Sequence, residues 1–361
     1  MIPTARALLV LLGLALAAPA GAVEPPGPTL RSYLGDPAFP DDAWTTSTPE
    51  AEGLDGAKLE AAVAAAQERG HALHAFLVVR HGKLVLERYG TLHGRQLTPA
   101  DPHPLYSVTK TFTSMLVGLA IAEGKIASVQ ARVAPFLAGP ELRQATAGKE
   151  DLVLEDLLTM QSGIAYAEGH DEALFQAPSV AAAYWTRPMV WEAGVRFNYS
   201  SGDSQLLAEV LRRATGRTPL EYAQARIFGP LGIGAVSWEA DRSGTHLGGR
   251  GLALRPRDLA RFGWMLLSGG RWKGAQVVPA DWIAAAARPS AKTPIPMGHY
   301  GYQCWVPRFG GFALRGYQGQ ELYVLPEHDL LVVFNAALPG KDADLALDAL
   351  VTGFVLPAVR G

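Results

Sequence analysis

The stretch YSVTK, residues 106–110, places Ser107 three residues before Lys110, at the start of a segment whose apolar residues recur with helical spacing. Residues i and i+3 share one face of a helix, so we expect the lysine amino group one turn from the serine hydroxyl. A serine hydroxyl is a weak nucleophile until a base removes its proton, and a lysine serves as that base only where burial or a neighbouring cation lowers its pKa. The spacing is therefore compatible with a serine nucleophile and its base.

A helix-capping serine followed by a solvated lysine would produce the same spacing. Taken alone, the motif favours this second interpretation. Ser-x-x-Lys occurs once in the chain, so the decision depends on what accompanies it.

Two further motifs follow in order along the chain. FNYSSGDSQLLAEVL puts Tyr199 and Ser201 on a turn before another predicted helix. LRGYQGQELYVLPEHDLLVVF puts Gly316 on or beside a strand near the C-terminus, where a glycine lets a ligand approach the backbone closely. GDSQL within the second motif echoes an esterase signature, but the helix start already explains it, and we interpret Ser204 as a surface or capping residue.

The three motifs resemble the signatures of the serine β-lactamase and penicillin-binding-protein superfamily, which are S-x-x-K, a Y-x-N or S-x-N turn, and a K-T-G or H-x-G strand. The resemblance extends from about residue 50 to residue 335. It is nearest to the class C β-lactamase-like branch, which also contains esterases and the 6-aminohexanoate-dimer hydrolase. It implies that Ser107 is the acylated nucleophile, Lys110 its base partner, and Tyr199 the acid/base that passes a proton to the leaving group.

The resemblance also implies an oxyanion site and a substrate site. The oxyanion would lie between the backbone N–H groups of Ser107 and Tyr317, because Gly316 lets the substrate lie against the strand edge. Ser201 and Gln320 are expected to contribute to substrate binding. Four aromatic residues could line the substrate pocket, but positions in the hydrophobic core are favoured for them. They are Tyr184, Trp185, Trp191 and Trp305.

Two departures from the family pattern bear on the substrate. Ser201 stands where an amide side chain is expected, and a hydroxyl makes fewer hydrogen bonds. Leu314 stands where a Lys or His is expected, and Arg315 should point to the opposite face of the strand. A β-lactam or a D-alanyl peptide carries a carboxylate that a cation at this position would bind. The expected substrate is therefore a small uncharged ester or amide.

Two alternatives stay open at this point. One is a true β-lactamase or D-alanyl-D-alanine carboxypeptidase. The other is a non-catalytic binding protein of the same fold, against which the combination of Ser107, Lys110 and Tyr199 argues.

The elements around the motifs predict an α/β protein, and the resemblance implies that it has the β-lactamase-like fold. Residues 53–70 read as a helix capped by Asp55, and AFLVVRHGKLVLERYG reads as a hairpin. The middle of the chain is mostly helical, and strands return near the C-terminus before a last helix. We expect an antiparallel sheet from both chain ends, flanked by helices, with residues 23–145 and 291–361 in the sheet domain and 146–290 in an inserted, mainly helical domain.

Residues 1–22 have the cation, apolar run and small-residue end of a secretory signal peptide. We therefore expect an exported protein, periplasmic or secreted, with no integral membrane segment after cleavage.

Cys304 is the one cysteine, and its surroundings favour a buried strand position.

The overall charge and the remaining motifs give no indication of other partners. With 32 basic and 34 acidic residues and no basic run, nucleic acid is not an expected partner. His71 and His74 have metal-like spacing, but no third ligand stands near them. GGRGLALRPRDLARFG lacks the strand and acidic partner of a dinucleotide site. No cofactor and no metal are expected, and the oligomeric state is not predicted.

Overall fold

A computed structural model describes residues 39–40, 43–137, 143–293, 298–339 and 343–360 of the chain. The predicted signal peptide, residues 1–22, lies outside the described residues. The predicted boundaries of the inserted helical domain, between residues 145 and 146 and between residues 290 and 291, remain predictions.

Fifteen strands are described. They are β1 (Ala72–Arg80), β2 (Lys83–Tyr89), β3 (Thr91–Leu92), β4 (Arg95–Gln96), β5 (His103–Pro104), β6 (Ser237–Trp238), β7 (Leu252–Leu254), β8 (Arg271–Trp272), β9 (Ala275–Gln276), β10 (Ala291–Lys292), β11 (His299–Tyr300), β12 (Trp305–Val306), β13 (Phe312–Gly316), β14 (Gln320–Leu325) and β15 (Leu330–Ala337).

The main sheet has eight antiparallel strands in the order β10-β11-β12-β13-β14-β15-β1-β2. Strands from the C-terminal part of the chain therefore continue directly into the two N-terminal strands. This confirms the predicted β-lactamase-like α/β fold with a sheet built from both ends.

The hairpin of β1 and β2 turns at His81 and Gly82, whose φ angles are 52° and 76°. Two consecutive residues in the left-handed region give the turn that matches the twist of a two-residue hairpin. The hairpin predicted from the sequence is confirmed.

Ten α-helices surround the sheet in the described ranges. They are α1 (Gly56–Glu68), α2 (Thr109–Ala122), α3 (Leu154–Leu158), α4 (Val180–Trp185), α5 (Ser201–Thr215), α6 (Pro219–Ala223), α7 (Pro256–Leu267), α8 (Ala280–Ala286), α9 (Ala343–Leu350) and α10 (Leu356–Ala358). The Asp55 side chain accepts a hydrogen bond from the Lys58 N–H at 3.3 Å, as the predicted helix cap requires. In these ranges no helix combines the length and the apolar character needed to cross a bilayer.

Helices cover both faces of the sheet, and the alternation of side chains along β1 shows how. Leu77 and Val79 belong to the core that contains α2, α5 and α7, whereas Phe76 and Val78 belong to the core beneath α1 and α9. Because both faces are buried, the strand reads as a continuous apolar run.

Helix α2 lies inside the first of these cores and carries Lys110 one residue after its start. Its residues from Thr109 to Ala120 are buried, and it packs against α5, α6 and α8.

Cys304 is buried with its Sγ 3.7 Å from the Ala313 carbonyl oxygen, and burial raises the pKa of its thiol. The predicted buried position is confirmed, although Cys304 immediately precedes β12.

Candidate active site

Ser107 lies in a single 3-10 turn, Tyr106–Val108, that leads into α2. The residue before it, Tyr106, has a φ of 46°, in the left-handed region that non-glycine residues seldom occupy. Such strain persists only where surrounding contacts enforce it, and it clusters at functional sites. The Ser107 side chain is half-buried, and the N-cap residue of α2 is Val108, not Ser107.

Lys110 is only 1% exposed, and its Nζ lies 2.9 Å from Ser107 Oγ. The same nitrogen lies 2.9 Å from Ser201 Oγ and 3.1 Å from the carbonyl oxygen of Gly249. Burial lowers the pKa of Lys110 to about 8. The alternative of a capping serine and a solvated lysine is therefore wrong.

Tyr199 lies on the other side of Ser107, just before α5. The Ser107 side chain interacts with its phenol and by itself lowers the phenol pKa, and Lys110 Nζ lies 4.7 Å from its ring centroid. The ring packs against Tyr300 and Trp305, with centroid distances of 6.0 and 5.6 Å. Burial raises the pKa of Tyr199 above its ordinary value, so the phenol keeps its proton at neutral pH.

Ser201 is the first residue of α5, and it meets an acidic residue that the sequence analysis missed. Its Oγ lies 3.0 Å from each carboxylate oxygen of Glu168, and its N–H donates to Glu168 Oε2 at 3.1 Å. Ser201 and Glu168 also affect the pKa of Tyr166, which burial raises. Glu168 is an exposed loop residue outside any motif, so no pattern in the sequence distinguishes it.

Gly316, at the end of β13, lies directly against the Ser107 turn. A Cβ atom added there would stand 2.3 Å from the Leu105 carbonyl oxygen and 3.3 Å from the Ser107 backbone nitrogen. Tyr317 follows, is 63% exposed, and contacts the Tyr106 ring edge-on at 5.6 Å. The geometry leaves no room for a side chain between strand and turn.

The side chains of Leu314 and Arg315 point to opposite faces of the sheet, as the alternation of side chains along a strand predicted. Leu314 is fully buried in the core on the α2 side, whereas the Arg315 Nη2 pairs with Asp348 Oδ1 at 2.7 Å, in the core beneath α9. Neither places a cation beside Ser107.

Gln320 is buried in β14, and both ends of its amide are bonded to β15. Its Nε2 donates to the Ala336 carbonyl at 2.6 Å and its Oε1 accepts from Asn335 Nδ2 at 2.9 Å. These contacts join two strands, so they give no support to the predicted substrate-lining role of Gln320.

A cavity of about 430 Å³ lies beside Tyr106 and includes Trp238 and Arg250 in its lining. The Arg250 Nη1 is paired with Glu172 at 2.7 Å, and its guanidinium lies 4.0 Å from the Phe175 ring centroid. Arg250 was also missed, because a single arginine after two glycines carries no signature.

The structure also shows where the four aromatic residues and Ser204 lie. Tyr184, Trp185 and Trp305 are buried core residues, whereas Trp191 is half-buried. Ser204 is buried, with its Oγ 2.6 Å from Gln303 Oε1. Its interpretation as a surface residue is wrong, because the side of α5 that carries it faces the core. In the portion of the chain that the structure describes, no group of His, Cys, Asp or Glu residues is arranged to hold a metal ion.

Comparison with known proteins adds independent information. The sequence profile of the family described as Beta-lactamase matches residues 59–354. The 6-aminohexanoate-dimer hydrolase of Paenarthrobacter ureafaciens is 26% identical over 296 residues, which cover 74% of this chain and 73% of that protein.

Solved structures resemble the fold as a whole. The octameric penicillin-binding protein homologue of Pyrococcus abyssi superposes with a TM-score of 0.65 at 20% identity, covering 84% of this chain and 78% of that one. EstCE1, described as a hydrolase with promiscuous acyltransferase activity, superposes with a TM-score of 0.68 at 15% identity, covering 87% and 99%. At these identities the likeness establishes the fold alone.

Proposed function

This chain belongs to the beta-lactamase family of serine hydrolases, and from that premise we propose that it cleaves an uncharged ester or amide through an acyl-enzyme on Ser107. The observation that carries the proposal is the 2.9 Å contact between Ser107 Oγ and the Nζ of Lys110, a lysine that is only 1% exposed. A lysine whose pKa burial lowers to about 8 is partly neutral near physiological pH, as a general base must be.

In the proposed acylation, neutral Lys110 takes the proton of Ser107 Oγ while that oxygen attacks the substrate carbonyl. The oxyanion of the tetrahedral intermediate accepts hydrogen bonds from the backbone N–H groups of Ser107 and Tyr317. The C–O or C–N bond breaks as Tyr199 gives its phenolic proton to the leaving group. The Lys110 ammonium then returns a proton to Tyr199, which leaves Lys110 neutral and Ser107 acylated.

Deacylation repeats these transfers with water. Neutral Lys110 takes a proton from the water that attacks the acyl carbonyl, and Ser107 Oγ leaves and regains that proton from the Lys110 ammonium. The product is the free acid, and the net reaction consumes one water molecule.

The preference for an uncharged substrate rests on the strand beside Ser107. Leu314 is buried in the core and Arg315 is paired with Asp348 on the opposite face, so neither offers a cation to a carboxylate. Arg250 lines the adjoining cavity, but its guanidinium is paired with Glu172. The similarity to a 6-aminohexanoate-dimer hydrolase is consistent with cleavage of an amide bond.

Labelling with a fluorophosphonate, read by intact mass, together with release of nitrophenolate from p-nitrophenyl butyrate, tests the proposal. We expect one adduct and ester turnover, both lost in Ser107→Ala. Ser204→Ala, which removes the other serine considered as a nucleophile, should keep the adduct. Absence of an adduct in the wild-type protein would favour a non-catalytic binding protein. Cephalosporin turnover faster than ester turnover would favour the β-lactamase alternative.

Export is part of the proposal and rests on the signal pattern of residues 1–22. Expression of the full chain in a bacterial host should give a periplasmic or extracellular product whose N-terminus lies near Val23. A product retained in the cytoplasm at full mass would contradict it.

A further inference from the structure

The Ser201 hydroxyl has neighbours of two kinds, and their chemistry fixes the direction of its hydrogen bonds. Lys110 Nζ lies 2.9 Å from Ser201 Oγ, and both oxygens of the Glu168 carboxylate lie 3.0 Å from it. An ionised carboxylate only accepts hydrogen bonds. The single hydroxyl proton of Ser201 is therefore directed to Glu168, and its oxygen is left to accept from Lys110.

A second acceptor restricts Lys110 in the same way. The Gly249 carbonyl oxygen, 3.1 Å from Nζ, can only accept. A neutral lysine amine has two N–H bonds and one lone pair. With one N–H directed to Ser201 and the other to Gly249, the lone pair is directed to the third neighbour, Ser107 Oγ at 2.9 Å.

We propose that Glu168 is a positioning residue: by holding the Ser201 proton it makes Ser201 an acceptor and so directs the lone pair of neutral Lys110 toward Ser107. This inference rests on the proposed function, since it describes how the base is oriented for the acylation step. Without a hydrogen-bond acceptor at position 168, the Ser201 hydroxyl is free to rotate and donate to the Lys110 lone pair. The lone pair would then be occupied, and the serine would lose its base.

Glu168 has an electrostatic effect that is separable from this orienting effect. Burial lowers the pKa of Lys110, the Glu168 charge raises it, and the Arg250 charge lowers it. Tyr199 also faces Lys110, while Tyr166, Tyr199 and Tyr300 face Glu168. All three tyrosines have pKa values raised by burial and stay neutral where Lys110 titrates, so they add no charge change in that range.

Two variants separate the two effects. Glu168→Gln removes the charge but keeps an oxygen that can accept the Ser201 proton, whereas Glu168→Leu removes both the charge and the acceptor. The rate constant of fluorophosphonate labelling and kcat/KM for p-nitrophenyl butyrate are measured between pH 6 and 10. We expect the high-pH plateau of both rates to fall on the order of 100-fold in Glu168→Leu, as when a reacting group is misplaced, and to fall less in Glu168→Gln. We also expect the acid limb of both pH profiles to move to lower pH, because both variants lack the charge that raises the pKa of Lys110.

Three further variants complete the test. Ser201→Ala should lower the rate plateau similarly, and adding Glu168→Leu to it should lower the plateau no further, because Glu168 acts through Ser201. Glu192→Gln, which removes an exposed acid in the stretch between α3 and α5 that also holds Glu168, is the matched control and should behave as wild type.

An unchanged rate plateau in Glu168→Leu would overturn the orienting role, whether or not the acid limb moved. If the rate plateau fell, the acid limb of the pH profile did not move and the melting temperature was reduced, Glu168 would have a structural role instead. Serine-dependent labelling of the wild-type protein tests the proposed function separately from these comparisons, and a wild-type protein without labelling or turnover would overturn both proposals.

Discussion

Gly316 and Ser107 are in contact through their backbones: a Cβ atom added to Gly316 would stand 3.3 Å from the Ser107 nitrogen and 2.3 Å from the Leu105 carbonyl oxygen. The second distance is shorter than any contact that a Cβ atom tolerates. The end of β13 and the turn that holds Ser107 therefore approach as closely as a glycine allows. The proposed oxyanion site is formed by the N–H groups on either side of this contact.

Gly316→Ala should disable the site more than it unfolds the protein. The methyl group forces strand and turn apart, and displacement of a reacting group by about 1 Å costs on the order of 100-fold in rate. We expect at least that loss in the rate of fluorophosphonate labelling, with a cooperative melting transition retained. Gly234→Ala is the matched control, since a Cβ there meets nothing within 4 Å. Wild-type labelling by Gly316→Ala would show that the contact does not shape the site.

The pH dependence of ester hydrolysis should follow Lys110, whose pKa burial lowers to about 8. Lys110 acts as a base only when neutral, so kcat/KM should rise with pH and reach half its plateau near pH 8. Lys110→Arg, which keeps the charge but stays protonated, should lose about 1,000-fold, within the range for a general base. A profile that is flat from pH 6.5 to 9 would count against Lys110 as the base.

Stability should depend on pH through Asp203, which is fully buried in α5. Its Oδ1 accepts from Ser162 Oγ at 2.6 Å and from the Tyr184 hydroxyl at 2.8 Å, and burial raises its pKa to about 7. In the folded state the Asp203 carboxyl keeps its proton up to about pH 7, whereas in the unfolded state it releases that proton above about pH 4. This group therefore lowers the free energy of unfolding as pH rises from about 4 to 7, by up to about 1.4 kcal/mol per pH unit.

Asp203→Asn should remove this contribution, because the amide is neutral at every pH and its oxygen still accepts both hydrogen bonds. Urea midpoints of the two proteins, measured from pH 4.5 to 7.5, give the comparison. The difference between the two curves isolates Asp203 from the other titrating groups. Parallel curves would show that Asp203 is already ionised in the folded protein at low pH.

Gly118→Ala should destabilise the protein although alanine is the better helix former. A Cβ at Gly118 would stand 2.3 Å from the Trp282 ring, where α8 packs on α2. Overpacking of this kind costs about 1–3 kcal/mol, against about 1 kcal/mol gained in helix propensity. Chemical denaturation of both single variants and of Gly118→Ala with Trp282→Leu tests the cause. If the ring is the obstacle, the loss in the double variant will be smaller than the sum of the single losses.

The sequence by itself determined the parts of this protein that depend on neighbouring residues. The i, i+3 relation of Ser107 and Lys110, the Asp55 cap and the turn at His81 and Gly82 follow from helix and hairpin geometry. The resemblance to a known family supplied the β-lactamase-like fold and the expected roles of Ser107, Lys110 and Tyr199.

The tertiary structure alone decided what surrounds the Lys110 amino group. The Gly249 carbonyl, the Glu168 carboxylate and the Arg250 charge reach it from loops far along the chain, with Gly249 lying 139 residues away. It also decided that Gln320 bonds to β15 and that Ser204 is buried. Loop residues follow no periodicity, and their positions depend on how the helices pack against the sheet. The pattern therefore predicted the serine and lysine of the proposed site, while packing alone determined which groups surround that lysine.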